Sequence, residues 1–253
     1  YNNLTPDTTV EFTGAEEQAN VANGRYTDWI GLLNQSGIQT GHTVSASGGE
    51  NGLIYNASIG YLKDEGVVGI ENYERYNLTG SVTKKVNDKL TFGVKTYLAF
   101  TEREEGSREL FRSSFRLAPT VSPFDDNGDI KLIPDEQDQR FINPLYEKDG
   151  AWRVNTKRFD IIANVFLEYK PLEWLNLKTQ FSPTLASQRN GEFRGLLTKA
   201  ARNDQGRVRS IYNTASQISY AWDNIANMNF DINDNNNLQV TLITSLYQNE
   251  NEG

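Results

Sequence analysis

The sequence predicts an all-β protein, an antiparallel up-and-down meander of about eight strands that forms one wall of a transmembrane barrel. Three observations predict it. Apolar and polar residues alternate with period two in run after run, the pattern of a strand with one wet face. Several runs reach or exceed the roughly 9–11 residues that a tilted strand needs to cross a bilayer, whereas sandwich strands centre on about 5–6. Connections between runs alternate strictly between short and long, as in barrels with tight turns at one rim and long loops at the other.

Taken in order, residues 1–41 read as an irregular segment outside the sheet. Thr9-Val-Glu-Phe-Thr13 suits a short strand, and residues 15–22 suit a helical turn or two. Trp29, Ile30, Leu32 and Leu33 form an apolar cluster after Asp28, a residue type that caps a short helix. The first strand, His42-Thr-Val-Ser-Ala-Ser-Gly-Gly49, is followed by Asn51-Gly52. These glycines and the asparagine supply the positive-φ positions of a tight hairpin.

Residues 53–62 put Tyr55, Ala57, Ile59 and Tyr61 on one face, and 75–86 put Tyr76, Leu78, Gly80 and Val82 there. In 89–101, Leu90, Phe92, Val94, Leu98 and Phe100 oppose Thr91, Lys95 and Tyr97. In 158–170, Phe159, Ile161, Ala163, Val165, Leu167 and Tyr169 oppose Asp160, Ile162, Asn164, Phe166 and Glu168. In 174–186, Leu175, Leu177 and Phe181 oppose Asn176, Lys178 and Gln180. The run 216–232 is long and less regular, and 238–247 closes the series. Short connections fall at 49–52, 87–88, 171–173 and 233–237; long ones fall at 63–74, 102–157 and 187–215. Lys95, Asp160, Glu168, Lys178 and Asp231 all fall on the face opposite the apolar one. A lipid-facing exterior and a polar lumen explain that division.

Composition agrees. The mean hydropathy is -0.61, and no apolar run is long enough for a membrane helix, which does not bear on strands that show lipid only every second residue. The net charge of -8 disfavours nucleic acid as a partner, because phosphates would be repelled. There is no cysteine, and there is one histidine. That excludes a disulfide framework, a thiolate metal site and a histidine-rich cluster. The chain begins and ends in mid-pattern and reads as an internal fragment.

No catalytic set emerges. His42 has no nucleophile paired with it and reads as a strand residue. Asp125-Asp126-Asn127-Gly128-Asp129 has oxygens at alternating positions, as calcium loops do, but lacks the distal bidentate glutamate and reads as a turn. Carboxylates such as Glu102/Glu104/Glu105 and Asp135/Glu136/Asp138 lie in charged runs expected to be solvated loops rather than glycosidase acids. Neither a metal nor a cofactor is expected. The loop aromatics Trp29, Phe141, Tyr146 and Trp152 either stack on a ligand's apolar faces or pin the loop to the rim; the last three are the candidate substrate-binding residues. Trp174 suits an interfacial aromatic girdle.

One ordered set of motifs adds to this reading. Thr27-Asp28-Trp29 is followed by His42-x-x-Ser45-x-Ser47-Gly48-Gly49, then Tyr55-x-x-Ser58-x-Gly60-Tyr61, Glu65-Gly66 and Arg75-Tyr76, with Asn143-Pro144 in the longest loop. The set resembles the SusC/RagA-like, TonB-dependent outer-membrane transporters. The resemblance implies a place inside a larger barrel of about 22 strands, the size that carries a plug. It also implies import of nutrients, usually oligosaccharides and sometimes peptides, across the outer membrane of Bacteroidetes-type bacteria. The partners it implies are a SusD-like surface lipoprotein as lid and the TonB complex acting through a plug, with outer-membrane lipid around the wall. Two alternatives stand beside it: a secreted glycan-binding β-sandwich and an outer-membrane barrel enzyme.

Overall fold

The computed structural model describes residues 14–253. The strand expected at Thr9–Thr13 lies outside the described residues. Eight strands form one sheet in the order of the chain, each antiparallel to the next. They are β1 (Gln39–Glu50), β2 (Leu53–Glu65), β3 (Asn72–Lys85), β4 (Leu90–Glu105), β5 (Trp152–Leu172), β6 (Leu175–Arg194), β7 (Arg209–Asn233) and β8 (Asn236–Glu252). There is no crossover, and β1 and β8 are the two open edges of the sheet. Among the described residues, four short helices lie outside it: α1 (Ala15–Ala22), α2 (Glu109–Ser114), α3 (Pro144–Lys148) and α4 (Lys199–Asn203).

The register gives each face a predominant character, although Tyr97, Ile162 and Phe166 share the more polar one. One row crosses the sheet as Val44, Ile59, Leu78, Leu98, Ile161, Leu185 and Ile218. Another row on the same face pairs Val82 with Val94, Val94 with Val165, and Phe181 with Trp222. These side chains are exposed in the isolated sheet, Val44 by 75% and Ile59 by 65%. The opposite face carries Asn56, Ser81, Lys95 and Asn164 in one row. Its polar groups bond across strands: Asn164 Nδ2 donates to Ser182 Oγ at 2.7 Å, Gln180 Nε2 to Asp223 Oδ2 at 3.0 Å, and Ser245 Oγ to Asp223 Oδ1 at 2.6 Å. Such pairs are the unit of sheet stabilisation.

Aromatic rings bound the apolar band on both sides. At the long-loop side, the Tyr61 and Tyr76 ring centroids lie 4.9 Å apart and those of Tyr76 and Phe100 6.5 Å apart. At the short-turn side, Trp174 stacks on Phe230 at 5.1 Å. On β5 the band runs from Phe159 to Tyr169, about 33 Å along the strand, or roughly 25 Å across at a 40° tilt. Lys84 is a cation at the short-turn edge of this face, and its Nζ reaches the Asn51 carbonyl in the neighbouring turn at 2.7 Å. A long stem under a bonded head lets a lysine end an apolar band.

The hairpin between β1 and β2 turns on Asn51 (φ 50°) and Gly52 (φ 74°), the two positive angles that a two-residue turn requires. Gly48 and Gly49, expected to share that task, belong to β1 instead. Gly48 is there for space: a Cβ would stand 2.5 Å from the Tyr55 hydroxyl.

Every strand is found where the alternation places it, and most run further toward the long loops than expected. β5 starts at Trp152 rather than 158, and β6 continues to Arg194 rather than 186. The long connections therefore shrink to 66–71, 106–151 and 195–208. Glu102, Glu104 and Glu105, read as loop charges, are strand residues of β4. Beyond the apolar band both faces are polar, so pairing rather than patterning extends the strands.

Because the meander is strict, all three long connections and the segment before β1 emerge at one end of the sheet. There they fold on one another. Trp29, Leu117, Val121 and Phe141 form one buried cluster; Leu33, Val68, Leu110 and Leu145 form a second, and Leu32 packs on both. Asp28 accepts from Gly31 N at 2.8 Å, which caps a turn rather than the expected short helix.

Candidate functional site

The crown of loops is where this fold concentrates irregular backbone held on a rigid scaffold, the usual place for binding residues. Its packing assigns the candidate aromatics to different positions. Phe141 is 7% exposed, inside the first cluster, with Arg116, Arg140 and Lys199 over its ring at 6.0, 5.7 and 5.2 Å. In this position it supports the crown rather than an open surface. Tyr146 is half-buried on α3, and its hydroxyl donates to the Ile130 carbonyl at 2.8 Å. Trp29 is buried too, its Nε1 donating to the Ala118 carbonyl at 3.0 Å.

Trp152 was expected in the loop, but it opens β5 and sits apart from the buried cluster. The Arg194 guanidinium lies over its indole at 4.6 Å, and its Nε1 is buried without a hydrogen-bond partner. Trp152 lines an open groove of about 680 Å³ together with Glu105, Arg108, Glu109, Phe111, Arg112, Phe115 and Val154. Trp152 and Val154 share the even-numbered face of β5 with Asp160 and Asn164, so the groove opens on the polar side of the sheet.

The α2 side of this groove escaped the sequence reading. Phe111 and Phe115 lie four residues apart, which sets them on one helical face, and they are 41% and 74% exposed. Leu110, Ser113 and Ser114 take the buried side. That helical spacing in Glu109-Leu-Phe-Arg-Ser-Ser-Phe115 was the available signal.

Charges stitch the crown together. Lys199 Nζ lies 2.9 Å from Glu109 Oε2, and Arg112 Nη1 lies 3.1 Å from Glu109 Oε1. Glu147 is 3% exposed, and its Oε1 accepts from the Lys199 backbone N–H at 3.2 Å, while Oε2 is buried without a partner. Burial pushes the Glu147 carboxyl above its ordinary range. Asp138 moves the other way: its hydrogen bonds from Arg140 hold it down to about 2, so it stays ionised and has no use as a general acid. In the 125–129 turn, Asp125 Oδ1 accepts from the backbone of Asn127 and Asp129, both at 2.9 Å, and Gly128 has φ 86°. That carboxylate serves the turn's own backbone. Among the described residues, no group of three or more acidic, histidine or cysteine side chains is placed to hold a metal.

No protein-family model matches the chain. In sequence it is similar to TonB-dependent receptor P26 of Formosa agariphila, 22% identical over 167 residues, which cover 66% of this chain and 17% of that protein. TonB-dependent receptor P3 of the same organism is 22% identical over 206 residues, 76% of this chain and 20% of that protein. TonB-dependent receptor SusC of Bacteroides thetaiotaomicron is 32% identical over 69 residues, 27% of this chain and 7% of that protein. The fold resembles the solved RagAB peptide transporter at a TM-score of 0.76, with 21% identity over 90% of this chain and 26% of that one. It resembles the open-open state of the RagAB peptide importer at 0.74, with 20% identity over 99% of this chain and 30% of that one. The chain is thus similar in sequence to TonB-dependent receptors and in fold to the RagAB transporter, and it spans about a fifth of the length of the first curated relatives it matches.

Proposed function

We propose that this chain forms part of the barrel wall and the extracellular crown of a TonB-dependent nutrient importer in the outer membrane of a Gram-negative cell. The observation that carries the reading is the two-faced meander. An apolar band of bilayer height, edged by aromatics, covers one face, bonded polar side chains cover the other, and every long loop rises at one end. In a large barrel of about 22 strands the apolar band meets lipid and the polar face lines the lumen. β1 and β8 then pair with further strands, which removes two edges that invite aggregation. The similarity to TonB-dependent receptors and to a peptide importer supports import rather than catalysis.

The cargo is an oligosaccharide or a peptide, and the crown meets it together with a SusD-like lipoprotein lid. Energy reaches the barrel through a plug on which TonB acts, and none of the residues described in this chain is assigned to that coupling. The test is made on the full-length parent. It should fractionate with the outer membrane, show heat-modifiable migration, and lose uptake when TonB is deleted. A parent that stays soluble without detergent returns the reading to the secreted glycan-binding sandwich.

A further inference from the structure

We infer that the outward face of the sheet, across β5, β6 and β7 just beyond its apolar band, holds a site for a phosphorylated lipid of the outer leaflet. The inference rests on the importer reading, which sets this face against lipid and the long-loop end outside the cell.

Successive cross-strand rows on this face carry the argument, because their order in depth matches the parts of an amphiphile. The deepest row is Ile161, Leu185 and Ile218, inside the apolar band. The next is Phe159, Ser187 and Ser216, where two small hydroxyl side chains stand beside the ring that ends the band. Then come Lys157, Arg189 and Thr214, and outermost Asn155, Gly191 and Tyr212. Rows are two residues apart, about 6.6 Å along a strand and so about 5 Å in depth at a tilt of about 40°. The cations thus lie about 5 Å past Phe159, in the headgroup layer that flanks a hydrocarbon core of about 30 Å.

The cationic row is arranged against itself. Lys157 and Arg189 stand directly opposite each other, a placement in which like charges repel. Glu102 Oε1 takes Lys157 Nζ at 2.8 Å and also accepts from Asn155 Nδ2 at 2.8 Å. Arg189 is exposed and has no ion-pair partner among the described residues; its guanidinium lies over the Tyr212 ring at 5.9 Å. Beside this pair the surface is hollow. Apart from its chain neighbours, a Cβ on Gly191 would meet only the Asn155 carbonyl, at 3.9 Å. On β3 and β4 the cationic row continues as Glu74 and Glu102, opposite each other, and these acids bound the site on that side.

A phosphate in the hollow answers both features. Its oxygens accept from the Arg189 fork and from the ammonium hydrogens that Glu102 leaves free, and its charge turns the repulsion into attraction. A free phosphate would leave the rows beneath unused. A lipid uses them all: the phosphate lies over Gly191, ester carbonyls reach the Ser187 and Ser216 hydroxyls, and an acyl chain runs down over Leu185 and Ile218.

The experiment titrates the full-length parent, delipidated in detergent, with dioleoyl phosphatidic acid and reads bound lipid by native mass spectrometry. Arg189→Gln and Gly191→Leu change the outward face, and heat-modifiable migration verifies that both variants assemble. Each should weaken lipid binding by about tenfold. Glu102→Gln, which frees Lys157, should tighten it by about threefold. Dioleoylglycerol should bind at least about tenfold more weakly, and equally well to the parent and to Arg189→Gln. Millimolar inorganic phosphate should not displace the lipid. Wild-type affinity in Arg189→Gln or Gly191→Leu overturns the inference, as does dioleoylglycerol binding as tight as that of phosphatidic acid. Displacement by inorganic phosphate assigns the cations to a soluble anion and also overturns it. A parent absent from the outer membrane overturns the importer reading, and this inference with it. A parent that imports in a TonB-dependent way while its lipid binding ignores these side chains overturns this inference alone.

Discussion

Lys199 on α4 and Glu109 on α2 form an ion pair at 2.9 Å across two loops whose residues lie 90 positions apart. Both side chains are only 19% exposed, so the pair is less screened than a surface bridge. With the Lys199 N–H on Glu147 and the Lys199 ammonium over Phe141, it clasps the last long loop to the longest one. Lys199→Met should release α4 and weaken the crown by about 1–2 kcal/mol. Amide hydrogen exchange in the parent checks this: exchange at Ala200, Ala201 and Arg202 should quicken while the strands keep their protection. Unchanged exchange there would show that the backbone contacts hold the loop alone.

Glu147 gives the crown a pH dependence. Burial raises its pKa above the ordinary 4.5, so the folded crown binds this proton more readily than the unfolded chain does. The sign follows from linkage: the contribution is fully present below 4.5 and is lost as pH rises through the raised value. Above that raised value the crown holds a costly carboxylate. Glu147→Gln should increase the loop's exchange protection on that alkaline side and flatten its pH dependence. A variant as pH-sensitive as the parent would assign the effect to other groups.

Val94 and Lys95 test which face meets lipid. Val94 pairs with Val82 and Val165 on the apolar face, and Lys95 pairs with Ser81 and Asn164 on the polar one. Val94→Arg places a cation in hydrocarbon and should cost roughly 2–4 kcal/mol if the site lies near the bilayer midplane. Lys95→Thr removes a charge from a wet lumen and should leave assembly unchanged. Heat-modifiability of the parent reads both. Assembly of Val94→Arg with failure of Lys95→Thr inverts the faces, and harmlessness of both removes the strand from the membrane.

The longest connection should serve function rather than assembly. Residues 109–148 lie outside the sheet, whose β4–β5 register closes at Glu105 and Val154 without them. Replacing 109–148 with a short glycine-serine linker should leave a heat-modifiable barrel but reduce uptake or association with the lid lipoprotein. Normal uptake and lid association in an assembled deletion would remove the crown from the transport path.

Residues 159–169 show what the sequence by itself determined. Phe159, Ile161, Val165, Leu167 and Tyr169 alternate with a face that carries Asp160, Asn164 and Glu168 beside Ile162 and Phe166, the pattern of a strand that must keep one face apolar and admit polar groups on the other. A period of two survives in any sequence that must satisfy that condition, so the eight strands, their order and their facing were legible. The pairing of Glu102 with Lys157 at 2.8 Å lay beyond that reading. There the strands have left the apolar band, both faces are wet, and only the hydrogen-bond ladder of the neighbouring strand keeps the backbone extended.

Phe141 marks the other boundary. Its sequence neighbours Arg140 and Ile142 suit a rim aromatic open to a ligand. Its burial is decided by Leu117 and Val121 from its own loop and by Trp29, which reaches it because the meander leaves the segment before β1 at the same end of the sheet. The opposite holds for Phe115, which the same packing leaves 74% exposed because Leu110, Ser113 and Ser114 occupy the inner side of α2. Burial is a property of what arrives from distant sequence, and a local pattern carries no record of it.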